Sequence, residues 1–131
     1  MNDDGQAIRS AVEEMLSAAR RELKRVRAED LESEIAAGAI VVDIRPAADR
    51  AAEGALPGSI VLERNVLEWR LDPTSADRIP AAKDHTIAVI VVCNDGYASS
   101  LAAQSLRRLG LERATDLDGG FRAWRHLRPA P

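Results

Sequence analysis

One residue in this sequence joins a reactive atom to a position suited to using it. Cys93 is the only cysteine among 131 residues. It follows the apolar run Ile87-Ala88-Val89-Ile90-Val91-Val92 and opens the loop Asn94-Asp95-Gly96-Tyr97-Ala98, after which Ser99-Ser100 begins a helix-like segment. A thiol at the end of a buried strand, in a short loop feeding a helix N-terminus, meets loop amides and the positive end of the helix dipole. Both favour the thiolate, the nucleophilic form of cysteine. A lone cysteine in a small protein is more often an inert buried hydrophobe. Here the position, more than the residue type, marks Cys93 as a nucleophile.

Other groups with chemistry are scattered. His85 and His126 are the only histidines. A Cys–His pair stays open, because such groups meet only in space, but His85 lies at the wrong end of the Cys93 strand. One cysteine and two distant histidines give no metal-ligand spacing, so no metal and no cofactor is expected. Asp116 and Asp118 sit at a strand end, where a carboxylate can do acid/base work. Ser99-Ser100 reads as a helix-start cap, with a hydroxyl placed to hydrogen-bond the cysteine sulfur. Gly119-Gly120 lacks the wider glycine pattern of a nucleotide-binding loop.

The elements that must position Cys93 follow from periodicity. Ile8, Val12, Met15, Leu16, Ala19 and Leu23 recur at helical spacing, predicting an amphipathic helix over residues 7–26. Its basic residues Arg20, Arg21, Lys24, Arg25 and Arg27 read as a solvated face balanced by Glu13, Glu14, Glu22 and Glu29. A short helix is expected over 29–37, ending at Gly38. Strands are expected at 40–44, 60–62, 87–92 and 114–117, the 87–92 run being the clearest. Helical segments are expected at 46–53, 66–71, 98–109 and 121–127, with turn chemistry at Leu56-Pro57-Gly58-Ser59. Residues 73–85 read as loop and 128–131 as a frayed tail. Continuous apolar strands alternating with helices imply an α/β fold: a three-layer α/β/α arrangement around a mainly parallel sheet. Sites in such sheets lie beyond the C-terminal ends of the strands, where Cys93 and Arg45 fall.

Composition sets outer limits. The chain has the length of one domain. It is 46% hydrophobic but only 3% aromatic, so aliphatic side chains must build the core. A net charge of -3 gives no reason to expect nucleic-acid binding. No apolar run approaches the ~20 residues of a membrane span, and the acidic start, Met1 to Gln6, lacks the features of a signal peptide. A single thiol fits a reducing cytoplasm.

Four segments, in order, resemble single-domain rhodaneses. Val41-Val42-Asp43-Ile44-Arg45-Pro46 is similar to their opening strand. Gly54-Ala55-Leu56-Pro57-Gly58-Ser59 resembles their Gly-His-Ile-Pro-Gly-Ala turn, with Ala55 in place of His. Val91-Val92-Cys93 with Gly96 and Ser99 resembles the active-site loop, and Asp118-Gly119-Gly120-Phe121-Arg122-Ala123-Trp124 the closing Gly-Gly-x-x-x-Trp segment. The resemblance covers roughly residues 27–127 and divides the chain into an N-terminal helical extension, 1–26, and a rhodanese-like domain, 27–131. It implies that Cys93 takes the outer sulfur of thiosulfate or a similar donor, carries it as a persulfide, and passes it to cyanide or a thiol, small or protein-borne. It further implies that backbone N–H groups of Asn94, Asp95, Gly96, Tyr97, Ala98 and Ser99 ring that sulfur. The six residues from Cys93 to Ala98 match the length used by sulfur-transferring members, whereas phosphatase-type members carry one residue more. Ser99 also stands where a tyrosine-phosphatase signature needs Arg, and Val92 where it needs His.

The loop departs from the common Cys-Arg-x-Gly-x-Arg pattern. Asn94 and Ala98 replace both arginines, and Asp95 adds a carboxylate. Such a loop stabilises the thiolate less and attracts dianionic thiosulfate less than an arginine-bearing one. Arg64 and Arg45 are the candidates for a substitute substrate-binding cation, although an Asp43-x-Arg45 pattern is more often structural. Trp69 reads as packing or as a pocket wall. Tyr97 is placed to gate entry, meet an acceptor or cover the helix start, and Phe121 and Trp124 read as core anchors. The alternatives to an enzyme are a low-activity binding or regulatory module and a redox sensor that borrows an external thiol. The N-terminal helix is then a partner contact or a homodimer contact, since its apolar face must be buried somewhere.

Overall fold

The computed structural model describes residues 9–128. The strongest β signal builds the centre: β3, Val89–Val92, is buried at every position. It is flanked by β1, Ile40–Asp43, and β4, Ala114–Asp116, with β2, Ile60–Val61, beyond β1. All pairings are parallel in the order β2-β1-β3-β4, with Val42 opposite Val91 and Asp43 opposite Val92. Parallel strands need crossovers, and α3 (Ala47–Glu53), α4 (Leu67–Leu71) and α5 (Ala98–Arg108) supply them, while α2 (Leu31–Ala36) leads into β1 and α6 (Gly120–His126) follows β4.

Because side chains alternate across a strand, the sheet feeds two cores. Val42, Ile44, Val89, Val91 and Cys93 face α4 and α5, against Leu67, Leu71, Ala102 and Leu106. Val41, Ile90 and Val92 face the other way, against Leu31, Leu56 and Phe121. The expected three-layer α/β/α fold is thus present, built as expected from aliphatic residues. The segment 73–85 has little regular structure, yet Ile79 and Ala82 plug into the first core.

The first helix differs from its sequence pattern. Ala7 and Ile8, where it was expected to begin, and residues 129–131 of the expected tail lie outside the described residues. Helix α1 spans Ala11–Arg21 and starts at a capping box in which Ser10 and Glu13 satisfy each other's backbone N–H groups. Residues 22–26 leave the helix to follow the outer edge of β4. Val26 bridges Leu117, its N–H donating to the Asp116 carbonyl at 2.9 Å and its carbonyl accepting from Asp118 at 2.8 Å. The Thr115 hydroxyl donates to the Lys24 carbonyl at 2.9 Å. Leu23 fits a helix face and an edge strand equally well, so periodicity misses the break. The helix docks within its own chain, on α5, burying Ala19 while Val12 and Met15 stay exposed.

Arg45 also departs from expectation. Its side chain has no exposure, forks onto the Asp43 carboxylate with Nη2 at 2.8 Å, donates to the Gly54 carbonyl, and stacks 3.6 Å above the Phe121 ring. It pins the α3 turn to β1 and is sealed from any solvent-borne substrate. Removing one partner of a buried ion pair strands the other charge, so Asp43→Ala should lower unfolding free energy by about 3–5 kcal/mol. Urea denaturation checks this; a loss under 1 kcal/mol would mean that Arg45 finds another partner or water.

Candidate active site

Cys93 directly follows β3 and is 8% exposed. Its Sγ accepts two backbone N–H groups, from Gly96 at 3.2 Å and from Ser99 at 3.3 Å. Two N–H donors aimed at one sulfur form the kind of backbone nest that suits an anionic ligand. Gly96 has φ +85, a left-handed conformation that lets the chain curl back on the sulfur. The same curl brings the Gly96 Cα against the turn at Gly119, where an added Cβ would lie 2.8 Å from the Gly119 nitrogen.

The outward side of the loop is held by its carbonyls. Those of Cys93 and Asn94 accept from the backbone N–H groups of Phe121 and Arg122, at 2.8 and 3.1 Å, in the first turn of α6. The carbonyl of Gly96 accepts from Arg20 Nη2 at 2.7 Å and Arg25 Nη2 at 2.9 Å. In a trans peptide the C=O and the following N–H point oppositely. Fixing carbonyls outside therefore turns the next amides away from those partners.

Beneath the loop lies Asp116, fully buried at the end of β4. Its Oδ1 accepts from Arg25 Nε at 2.9 Å, and its Oδ2 from Arg25 Nη2 at 3.2 Å and from the hydroxyls of Ser99 at 2.7 Å and Ser100 at 2.8 Å. Arg25 and the Ser99 and Ser100 hydroxyls all bind this one carboxylate, so Asp116 anchors the loop instead of doing acid/base work. The sulfur accordingly receives the backbone N–H of Ser99, while the expected hydroxyl contact is absent. Burial by itself would lower the Arg25 pKa. The hydrogen bond and charge of Asp116 outweigh it, with Asp118 and Cys93 adding to them, and hold the guanidinium above its ordinary value.

The remaining loop residues face outward. Asn94 donates to Asp49 of α3 at 3.1 Å. Asp95, the carboxylate expected to burden the loop, pairs with Arg122 of α6 at 2.7 Å, and Arg122 also binds Glu53. The bonds to Glu53 and the charge of Asp95 raise the Arg122 pKa further above its usual range. Tyr97 is 64% exposed beneath the Arg20 guanidinium, and Ala98 starts α5. Arg64 lies in the turn before α4 and pairs with Glu68, which Ser105 also holds. It therefore serves α4–α5 packing and shows no bond to the Cys93 loop. Trp69, read as packing or as a pocket wall, is exposed. Phe121 is fully buried and Trp124 partly buried beside it. His85 abuts Gly110, at the C-terminal end of α5 and remote from its N-terminal loop. Among the described residues no cluster of His, Cys, Asp and Glu could hold a metal.

The cations at the loop are therefore Arg20 and Arg25, which the sequence reading assigned to a solvated helix face. Their signal was weak but present. Arg25 stands between Lys24 and Val26 just past the last helical turn, where an alternating pattern replaces the helical one.

Comparison with known proteins agrees with this geometry. The family model described as rhodanese-like domain matches residues 27–127. The thiosulfate sulfurtransferase GlpE of Stutzerimonas stutzeri is 36% identical over 109 residues, covering 83% of this chain and 91% of that protein. A Rhodopseudomonas palustris structure, of a protein of unknown function described as a possible tyrosine phosphatase, superposes with TM-score 0.80. It is 30% identical, over 92% of this chain and 93% of that one. The human single-domain sulfurtransferase TSTD1 superposes with TM-score 0.66 at 26% identity, over 80% and 97% of the two chains.

The contact between α6 and the loop yields a test. At Gly120 the backbone has φ +65, and an added Cβ would sit 2.6 Å from the carbonyl oxygens of both Cys93 and Asn94. Gly120→Ala should cost about 1–3 kcal/mol of stability through the strained backbone and change the alkylation rate of Cys93 by iodoacetamide. Unaltered stability and thiol reactivity would show that the α6 contact does not set the loop.

Proposed function

Since this chain belongs to the rhodanese-like domain family, we propose that it is a sulfurtransferase whose Cys93 carries sulfane sulfur as a persulfide. The observation that carries the reading is the pair of backbone N–H groups, from Gly96 and Ser99, on the Cys93 sulfur. The thiolate attacks the outer sulfur of thiosulfate. The sulfur–sulfur bond of the donor breaks, and sulfite leaves with its electron pair. The product, Cys93–S–S⁻, keeps its charge on the outer sulfur, for which the further loop amides are ready donors. An acceptor thiolate or cyanide then attacks that outer sulfur. The persulfide bond breaks, and its electron pair returns to Cys93 as thiolate. Neither half-reaction needs a general base once the thiolate exists, in keeping with Asp116 being committed to four donors.

The similarity to the GlpE sulfurtransferases favours thiosulfate as donor. The loop offers the dianion little repulsion, because the Asp95 charge is paired with Arg122. A phosphatase reading, prompted by the Rhodopseudomonas palustris neighbour, fits less well. Ser99 stands where such a loop needs Arg, and the arginines present bind the Gly96 carbonyl from outside instead of reaching into the ring. A reducing cytoplasm suits a protein whose only thiol must stay unoxidised between turnovers.

Intact-protein mass spectrometry after incubation with thiosulfate tests the reading. The expected result is a gain of about 32 Da, removed by reductant and absent in Cys93→Ser, as a covalent sulfur intermediate requires. No adduct from thiosulfate or 3-mercaptopyruvate, in folded protein whose Cys93 still alkylates, would overturn it in favour of a binding module. Release of p-nitrophenol from its phosphate ester, lost in Cys93→Ser, would favour the phosphatase instead.

A further inference from the structure

The sulfur site is completed by residues that precede the matched domain. Arg25 uses its planar fork on three targets at once: Nε on Asp116 Oδ1 at 2.9 Å, Nη2 on the Gly96 carbonyl at 2.9 Å, and Nη1 on Asp118 at 3.1 Å. Arg20 adds Nη2 on the same carbonyl and Nε on the Ser100 hydroxyl at 3.1 Å. The two residues that donate backbone N–H to Cys93 Sγ are Gly96 and Ser99. Arg25 anchors the first residue through its carbonyl, in the peptide that follows the donating N–H, and the second through Asp116, which binds the Ser99 hydroxyl. One guanidinium thus braces both donor residues from behind.

We propose that Arg25, assisted by Arg20, is a positioning residue for sulfur transfer: it takes over from outside the loop the task that arginines within the loop leave undone here. The inference rests on the sulfurtransferase reading of Cys93. Its physical content is geometric and electrostatic. Two cations on the Gly96 carbonyl fix the 96–97 peptide with its oxygen outward, so the Tyr97 N–H is turned away from them. They also polarise that peptide, strengthening its donor end. The mutual attraction of Arg25 and Cys93 is one of the influences that hold the guanidinium charged. The other charges around the loop are offset locally: Asp95 by Arg122, Asp118 by Arg25, and Asp49 by a hydrogen bond from Asn94. Arg20 and Arg25 are therefore the cations acting on the loop backbone itself. Lysine cannot reproduce the fork, because its ammonium is a single point charge.

The test uses the full chain with Arg25→Met, Arg25→Lys, Arg20→Met and, as a charge control, Arg21→Met. Arg21 is an exposed α1 residue whose side chain meets only Ser17, at 3.4 Å. Two readouts are taken: persulfide formation from thiosulfate, and the pH profile of Cys93 alkylation by iodoacetamide, which is clean because no other thiol is present. Arg25→Met should slow persulfide formation roughly tenfold to a hundredfold, the scale of a small misplacement at a reacting atom, and move the alkylation profile to higher pH. Arg25→Lys should fall between Arg25→Met and wild type in both, Arg20→Met should show a smaller change of the same sign, and Arg21→Met none. Wild-type alkylation profiles in Arg25→Lys and Arg20→Met would overturn the proposal, as would a rate loss that merely follows thermal stability. If Arg25→Met fails to fold, those two variants decide. Should wild-type protein form no persulfide, the sulfurtransferase reading fails, while the alkylation profiles still show whether Arg25 acts on the sulfur.

Discussion

The structure depends on which way a few peptide groups point. A six-residue loop cannot satisfy its own backbone, since it is too short for regular hydrogen bonding. Around Cys93 the carbonyls are met from outside, by the first turn of α6 and by two guanidinium groups. The N–H groups of Gly96 and Ser99, in peptides between these anchors, donate to the sulfur. An anion-binding ring of this kind requires no charged side chain within it. The charge that stabilises it is spread over aligned dipoles and cations one layer back.

A loop without arginines and with an aspartate thus still presents two N–H donors to its sulfur. Asp95 is drawn off by Arg122, which is itself held by Glu53. Asp116 would be costly to bury alone, but with four donors it becomes the point where β4, α5 and the segment before β1 are joined. The buried Asp43–Arg45 pair does similar work on the other side of the sheet, tying the α3 turn to β1. Both carboxylates are at or next to the C-terminal ends of parallel strands, where backbone amides and crossing helices concentrate polar groups. One such carboxylate supports the site and the other only the scaffold.

Close backbone approach fixes the remaining geometry. Gly96 and Gly120 both have positive φ, and a Cβ on either would run into backbone, at Gly119 or at the Cys93 and Asn94 carbonyls. The glycine pair after β4 is thus explained without any nucleotide: it lets α6 begin against the back of the loop.

Much of this was legible in the residues themselves. Apolar runs with β-branched residues declared the strands, and alternation with helical segments declared a parallel sheet. Cys93 at the end of the strongest strand marked the candidate site, and of the six loop amides expected around its sulfur those of Gly96 and Ser99 donate to it. These features are local, being set by periodicity and by φ preferences within a few residues. What the sequence could not assign is which charges meet. Arg45 carries a local sign, its partner Asp43 lying two residues before it, but Arg64, Arg20 and Arg25 all lie near turns or strand ends, and nothing local marks which of them grips Gly96. Arg25 reaches Asp116 across 91 positions of sequence, and only the docking of α1 on α5 and the pairing of Val26 with Leu117 brings them together. The sequence alone determined the fold and the candidate nucleophile, because both follow from local pattern; the tertiary structure decided the electrostatics of the site, because ion pairing depends on distances that the folded chain alone sets.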